Sequence, residues 1–224
     1  VIDVSSSSFS GVTFLPASSG IDLYLGRSLG SLDLNLDGHV DLVITESAVE
    51  EGRGYVHVIW GGRSLPSTMT LPVDSTDQGC YFRAPETHEN WGTAVATNGD
   101  INGDNNNDLM FTSNSKVLLV VAFNDGYGPQ WPLEITPPHS RIATIMILEE
   151  SGHSVTSGDI NGDGVGDVIV GVPYSDVTLG RVYILFGSID IVTSTDLPIS
   201  TTETPDGITR PQINGHQELK HLGL

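Results

Sequence analysis

Three nine-residue strings constrain this chain more than anything else in it. They are Asp33-Leu34-Asn35-Leu36-Asp37-Gly38-His39-Val40-Asp41, Asp100-Ile101-Asn102-Gly103-Asp104-Asn105-Asn106-Asn107-Asp108 and Asp159-Ile160-Asn161-Gly162-Asp163-Gly164-Val165-Gly166-Asp167. Each places oxygen-bearing side chains at positions 1, 3, 5 and 9. A hard cation such as Ca2+ takes about six to eight oxygens from carboxylates, amides, backbone carbonyls and water. Alternation lets a tight loop aim positions 1, 3 and 5 at one centre, and the residue at position 6 turns the chain. Glycine adopts the required positive φ freely; loop 2 has Asn105 there, and Asn tolerates it best after glycine. The carbonyl of position 7 (His39, Asn106, Val165) then faces the ion, and Asp41, Asp108 or Asp167 closes the site. Such Asx-rich strings also form plain turns, but three copies of a spaced pattern point to calcium, up to three ions.

The loops are not EF-hands. An EF-hand needs a bidentate Glu at position 12 and flanking helices; position 12 here is Ile44, Phe111 or Val170. The flanks read as strands: DLVIT and DVIVGV follow the loops as apolar runs. The strings therefore sit in β-hairpins. A nonapeptide calcium β-helix is excluded by the long repeat.

The repeating unit contains a short strand, a Gly-x-Ser/Thr strand, the loop, an apolar strand, and a Gly-x-Val-Tyr/His-Val strand. In the first copy these are Ile21–Leu25, Gly26–Leu32, the loop, Leu42–Thr45 and Gly54–Trp60. The second copy has Gly79–Ala84, Trp91–Thr97, Leu109–Thr112 and Lys116–Phe123 around its loop. The third has Arg141–Leu148, Gly152–Thr156, Val168–Val172 and Gly180–Phe186. Aligned glycines Gly26, Gly92, Gly152 and Gly223 recur every sixty to seventy residues. Several strands per unit at that period mean propeller blades or another β array, with neighbours covering one another's sheet faces. The expected fold is all-β. The expected boundaries are 1–25 as the tail of a preceding blade or connector, 26–90, 91–150 and 151–211 as blades, and 212–224 as the start of a fourth repeat. Three blades do not close a ring, so the chain reads as part of a larger propeller.

The unit resembles the FG-GAP repeat, the blade of integrin-alpha-like β-propellers; the propeller of glycosylphosphatidylinositol-specific phospholipase D is similar. The "FG" half corresponds to Leu25-Gly26, Trp91-Gly92, Ser151-Gly152 and Leu222-Gly223. The "GAP" half survives as Gly171-Val172-Pro173, with Glu46-Ser47 and Ser113-Asn114 in its place in the first two blades. The resemblance covers nearly the whole chain. It implies a seven-bladed propeller in the intact protein, calcium loops on one face, and partner contacts through the other face or the sides.

Composition narrows the function. Nine Lys and Arg against 28 Asp and Glu leave a formal charge of −19, which excludes the basic stripes that nucleic-acid binding needs. Nine of those acids are the loop aspartates, and bound calcium would offset part of the charge. No apolar run is long enough for a membrane span. Few Lys and Arg with abundant Gly, Ser, Thr, Asp and Asn fit an extracellular, calcium-rich setting. Cys80 is the single cysteine, so there is no disulfide framework, and it reads as a small buried hydrophobe. His57, alternating with apolar residues in GYVHVIW, reads as a strand-surface residue. Trp60 and Trp91 read as blade packing and Trp131 as exposed. No His pair at metal spacing and no Gly-Lys-Ser/Thr phosphate loop is present, and the carboxylates are mostly committed to calcium, so no catalytic residue is assigned.

The sequence thus points to a non-enzymatic calcium-binding propeller segment of a secreted or surface protein. Its expected role is cell adhesion, protein–protein interaction or structural assembly of a surface appendage. Its expected partners are calcium, a protein or glycan, and other copies or chains completing the propeller. The alternative is an accessory propeller of a larger secreted enzyme, phospholipase D-like or polysaccharide-acting, with catalytic residues outside these 224 residues.

Overall fold

A computed structural model describes residues 11–16, 24–114, 116–120, 132–136, 142–147, 153–173, 181–187, 196–203 and 209–213. The described fold is all-β apart from one irregular turn at Val49–Gly52, where Glu50 and Glu51 are left-handed (φ 51° and 59°). In chain order the strands are β1 (Thr13–Pro16), β2 (Leu25–Leu32), β3 (Asp41–Glu46), β4 (Tyr55–Ile59), β5 (Thr68–Leu71), β6 (Gly79–Arg83), β7 (Val95–Gly99) and β8 (Asp108–Thr112). They continue as β9 (Lys116–Val120), β10 (Glu134–Ile135), β11 (Ile142–Ile147), β12 (Ser154–Gly158), β13 (Asp167–Val172), β14 (Arg181–Leu185), β15 (Asp196–Glu203) and β16 (Thr209–Ile213).

The strands form propeller-type blades. β2-β3-β4-β6 is an antiparallel meander. β7-β8-β9-β11 is a second, and β12-β13-β14 supplies the third. In all three, one of the Asp-rich loops joins the first two strands. The strands expected to open the second and third copies instead close the sheets before them. Gly79–Arg83 pairs with β4, and Ile142–Ile147 with β9. Hydrogen bonding to an adjacent free edge decided this, which the order of motifs does not show.

A further strand then laces each unit to its neighbour. β5 runs parallel to β1, β10 to β6 and β15 to β11. β1 thus holds to β5 the relation that β6 holds to β10. β15 also pairs with β16, so the sequence after the third blade extends the second blade's sheet.

The first strand of each blade is poor in large side chains because its neighbour lies close. A Cβ on Gly30 would come 2.7 Å from Thr97 Cγ2, and one on Gly99 would come 2.4 Å from Ser157 Oγ. The contacts between these strands are small and polar. Val95 N–H donates to Ser28 Oγ (3.1 Å), Ser31 N–H to Thr97 Oγ1 (3.2 Å), and Ser157 Oγ–H to Asn98 Oδ1 (2.9 Å). Ser28 is the serine of Gly26-Arg27-Ser28, and the other contacts come from residues later in the first strands.

Farther out, apolar faces meet. Val43, Val56, Val58, Trp60, Cys80 and Phe82 of the first blade pack on Trp91, Leu109 and Phe111 of the second. Phe111 is tilted against Phe82 (centroids 5.7 Å) and Trp91 (5.3 Å). Trp60, Trp91 and Cys80 are buried as their sequence context led us to expect. Trp131 lies outside the described residues. The opposite face of the first blade is covered by Met69, Leu71, Val73 and Phe14. That cover corrects the reading of His57, which is fully buried rather than on the strand surface. Its Nε2 lies 3.3 Å from Glu46 Oε2, beside the rings of Tyr55 and Tyr81. Burial holds the His57 imidazole below its ordinary pKa, with Glu46 pulling the other way.

Candidate calcium loops

The three Asp-rich strings fold into the same turn. The position-1 carboxylate accepts from the N–H of position 5: Asp33 from Asp37 and Asp100 from Asp104 at 3.0 Å, Asp159 from Asp163 at 3.1 Å. Its second oxygen accepts from position 6, which is Gly38 (2.8 Å), Asn105 (2.6 Å) or Gly164 (2.9 Å). The position-3 amides of Asn35, Asn102 and Asn161 accept from the same position-5 N–H at 3.0 Å. They also donate to the position-5 carboxylate at 2.8–3.2 Å. The position-5 carboxylate accepts from the N–H of His39, Asn106 or Val165 at 2.8–2.9 Å. Asn and Asp side chains thus take up the N–H groups that a tight turn leaves without backbone partners.

Two residues in each turn are left-handed. At position 6 these are Gly38 (φ 86°), Asn105 (φ 68°) and Gly164 (φ 88°), as the sequence led us to expect. Position 4 is left-handed as well: Gly103 (φ 74°), Gly162 (φ 77°) and, in loop 1, Leu36 (φ 57°). The glycines at 103 and 162 were the legible signal for it. Leu36 hid the rule in loop 1, where the side chain is held by packing against the core between the first two blades.

Position 9 behaves differently from the rest. Asp41, Asp108 and Asp167 are buried (1%, 0% and 0% exposed) and begin β3, β8 and β13. Each accepts from the N–H of its own position 2: Leu34 (2.9 Å), Ile101 (2.8 Å) or Ile160 (2.7 Å). The other oxygen of Asp41 accepts from Gly61, and that of Asp167 from Gly187, at 2.9 and 3.0 Å. Those glycines lie just past the third strands, so Asp41 and Asp167 tie loop to strand exit. Neither glycine was singled out from the sequence; both lie shortly after the Val-Tyr/His-Val strand. Burial pushes the Asp41 carboxyl up to about 6, against the lowering effect of the Gly61, Leu34 and Asn35 N–H groups, and Asp33 adds to the rise.

The donor set suits a hard cation. Asp33, Asn35 and Asp37 converge, as do Asp100, Asn102 and Asp104, and Asp159, Asn161 and Asp163. Each carboxylate oxygen that accepts one N–H keeps a further lone pair. The inward set is two carboxylates and an amide. Accordingly, no three His, Cys, Asp or Glu side chains gather around one point among the described residues. The chemistry is oxygen-only, which disfavours Zn2+ and suits Ca2+.

At the opposite end of the blades lies a cavity of about 190 Å3 lined by Tyr24, Arg27, Ser47, Asn90, Thr93 and Asn114, among others. It sits where Leu25-Gly26, Glu46-Ser47, Trp91-Gly92 and Ser113-Asn114 converge. The Arg27 guanidinium stands 5.5 Å from the Tyr24 ring centroid. On the blade's outer side, Arg83 binds Glu50 (2.6 Å) and Glu134 (3.5 Å), and Tyr55 donates to Glu50 (2.6 Å). The Tyr55 hydrogen bond leads in holding Glu50 below its ordinary carboxyl pKa.

Meander blades, a repeated hairpin loop and closely packed first strands define a chain built of propeller-type blades. Residues 151–185 match the FG-GAP repeat family, the resemblance drawn from the motifs. The chain is similar to integrin alpha-PS3 of Drosophila melanogaster, 28% identical over 176 residues, which is 71% of this chain and 14% of that protein. It is similar also to phosphatidylinositol-glycan-specific phospholipase D of Rattus norvegicus, 27% identical over 159 residues, 67% of this chain and 19% of that protein. The chain therefore spans less than a fifth of the length of either relative. No helix among the described residues is long and apolar enough to cross a membrane.

Proposed function

We propose that this chain is a non-enzymatic, calcium-stabilised β-propeller segment of an extracellular protein, used for adhesion or assembly through a protein or glycan partner. One observation carries the calcium reading. The same hydrogen-bonded turn forms three times, although Leu36 and Asn105 must both go left-handed where glycine would be easier. Asp33, Asn35, Asp37 and the His39 carbonyl would hold the first ion, with Asp41, which the sequence placed among the ligands, bracing the loop through the Leu34 and Gly61 N–H groups instead. The corresponding residues of loops 2 and 3 would hold the others. Calcium would supply positive charge among the aspartates. The chain's own N–H groups already hold the acceptors on the inner side of each turn.

Calorimetric titration with Ca2+, paired with thermal melts with and without chelator, tests this. Three ions per chain and a large stability loss in chelator are expected. No binding, or one ion whose removal leaves stability unchanged, overturns the reading. Likeness to an integrin alpha chain supports a protein partner, and the cavity at Arg27 and Tyr24 offers a concave surface at the end away from the loops.

The likeness to a phospholipase D favours a second reading, in which the segment is an accessory propeller of a larger secreted enzyme. Extending the coding sequence in both directions separates the two. A hydrolase domain with a His/Asp metal cluster would favour the enzyme.

A further inference from the structure

Loops 2 and 3 touch through the backbone. Gly166 N–H, at position 8 of loop 3, donates to the carbonyl of Asp100, position 1 of loop 2, at 2.6 Å. The surroundings are tight. A Cβ on Gly166 would lie 3.0 Å from the Asp100 carbonyl oxygen and 3.2 Å from Ile101 Cδ1. A Cβ on Gly187 would lie 2.1 Å from the Gly166 carbonyl oxygen and 2.8 Å from that of Ile101. Gly187 N–H in turn binds Asp167 of loop 3, while Ile101 N–H binds Asp108 of loop 2. Among the described residues no backbone hydrogen bond joins the corresponding positions of loops 1 and 2, Asp33 and Asn107.

From this contact we infer that loops 2 and 3 bind calcium with positive cooperativity, whereas loop 1 binds independently. The coupling rests on the calcium reading above. The N–H of Gly166 and the carbonyl of Val165 belong to one planar trans peptide and point in opposite directions. The hydrogen bond to Asp100 therefore fixes the direction of the position-7 carbonyl, a loop 3 donor. Its acceptor is the main chain of Asp100, whose carboxylate is a loop 2 donor. Filling either loop immobilises one end of this bond, so the second loop is ordered at lower cost. Linkage requires the effect to be reciprocal and equal in both directions.

The test is Ca2+ titration of the whole chain with loops disabled in turn, each variant's fold checked by circular dichroism. Asp37→Ala leaves loops 2 and 3, and Asp163→Ala leaves loops 1 and 2. Asp37→Ala combined with Asp104→Ala or Asp163→Ala leaves loop 3 or loop 2 alone, and Asp104→Ala combined with Asp163→Ala leaves loop 1 alone. With loops 2 and 3 both intact, the product of the two binding constants should exceed the product of the single-loop constants about fivefold or more, the lower end of ordinary coupling. For loops 1 and 2 the ratio should be near one. Gly166→Pro removes the donor and should bring the loop 2–3 ratio to one.

If a double variant fails to fold, amide exchange replaces it. In Asp163→Ala, Ca2+ at loop 2 should slow exchange at Gly166. Equal, independent constants for loops 2 and 3, or Gly166 exchange unaffected by Ca2+, overturn the coupling while leaving the calcium reading intact. Absence of binding at every loop overturns the calcium reading itself.

Discussion

At the scale of single residues, position 9 and position 6 of the loops make the sharpest predictions. Asp41 accepts the N–H groups of Leu34 and Gly61 in a buried setting. Asp41→Ala leaves both without a partner, at about 1–3 kcal/mol for each. Chemical denaturation should show a loss in that range or above it even in chelator, which separates the tie from metal binding. Asn105 is left-handed where the other loops have glycine. Asn105→Gly should strengthen calcium binding at loop 2, while its effect on unfolding free energy in chelator stays within about 1 kcal/mol, because relief of the backbone is offset by a looser unfolded chain.

His57 gives the pH dependence. Its folded pKa lies below the ordinary 6.5 because it is buried. The unfolded chain therefore binds the proton more readily, and stability is full above about 6.5 and falls as pH drops below it. The stability difference between the chain and His57→Gln should shrink as pH is lowered from about 7.5 to 5. A difference that is flat across that range would show that the imidazole does not titrate with folding.

At the scale of elements, the first strands and the apolar faces between blades do different work. Gly99 lies against Ser157 at a distance no Cβ tolerates. Gly99→Ala should cost about 1–3 kcal/mol by overpacking and act on the joint between the second and third blades. Phe111 touches both Phe82 and Trp91. Phe111→Ala should cost about 3–5 kcal/mol, seen as a lower denaturation midpoint. Gly30 and Gly99 mark the close joint once the structure is seen, because only small residues allow two strands to approach so nearly. The lacing strands β5, β10 and β15 carried no comparable mark. Their pairing is main-chain hydrogen bonding to a free edge, and many sequences can provide that.

At the scale of the whole molecule, the calcium proposal ties charge to metal. A chain with 28 acids and nine bases repels itself, and cations bound only by the folded loops would relieve part of that. At a hundredfold excess over Kd each filled loop contributes about 2.7 kcal/mol, or roughly 5–10 °C for a chain of this size. Above Kd, the melting temperature should rise with the logarithm of Ca2+ concentration. Melts insensitive to Ca2+ would leave the loops as turns alone.

The all-β class, the three hairpin turns and the burial of Trp60, Trp91 and Cys80 were legible in the residues alone. These follow from local chemistry: Asp and Asn side chains serve turn N–H groups, and apolar runs seek cover. The tertiary structure alone decided the rest. It joined Gly79–Arg83 and Ile142–Ile147 to the sheets before them, buried His57 against Glu46, turned the position-9 aspartates onto Gly61 and Gly187, and brought Gly166 onto Asp100. Each depends on which free edge or N–H group lies nearest once the blades stand side by side, and that distance is set by packing between residues far apart in the chain.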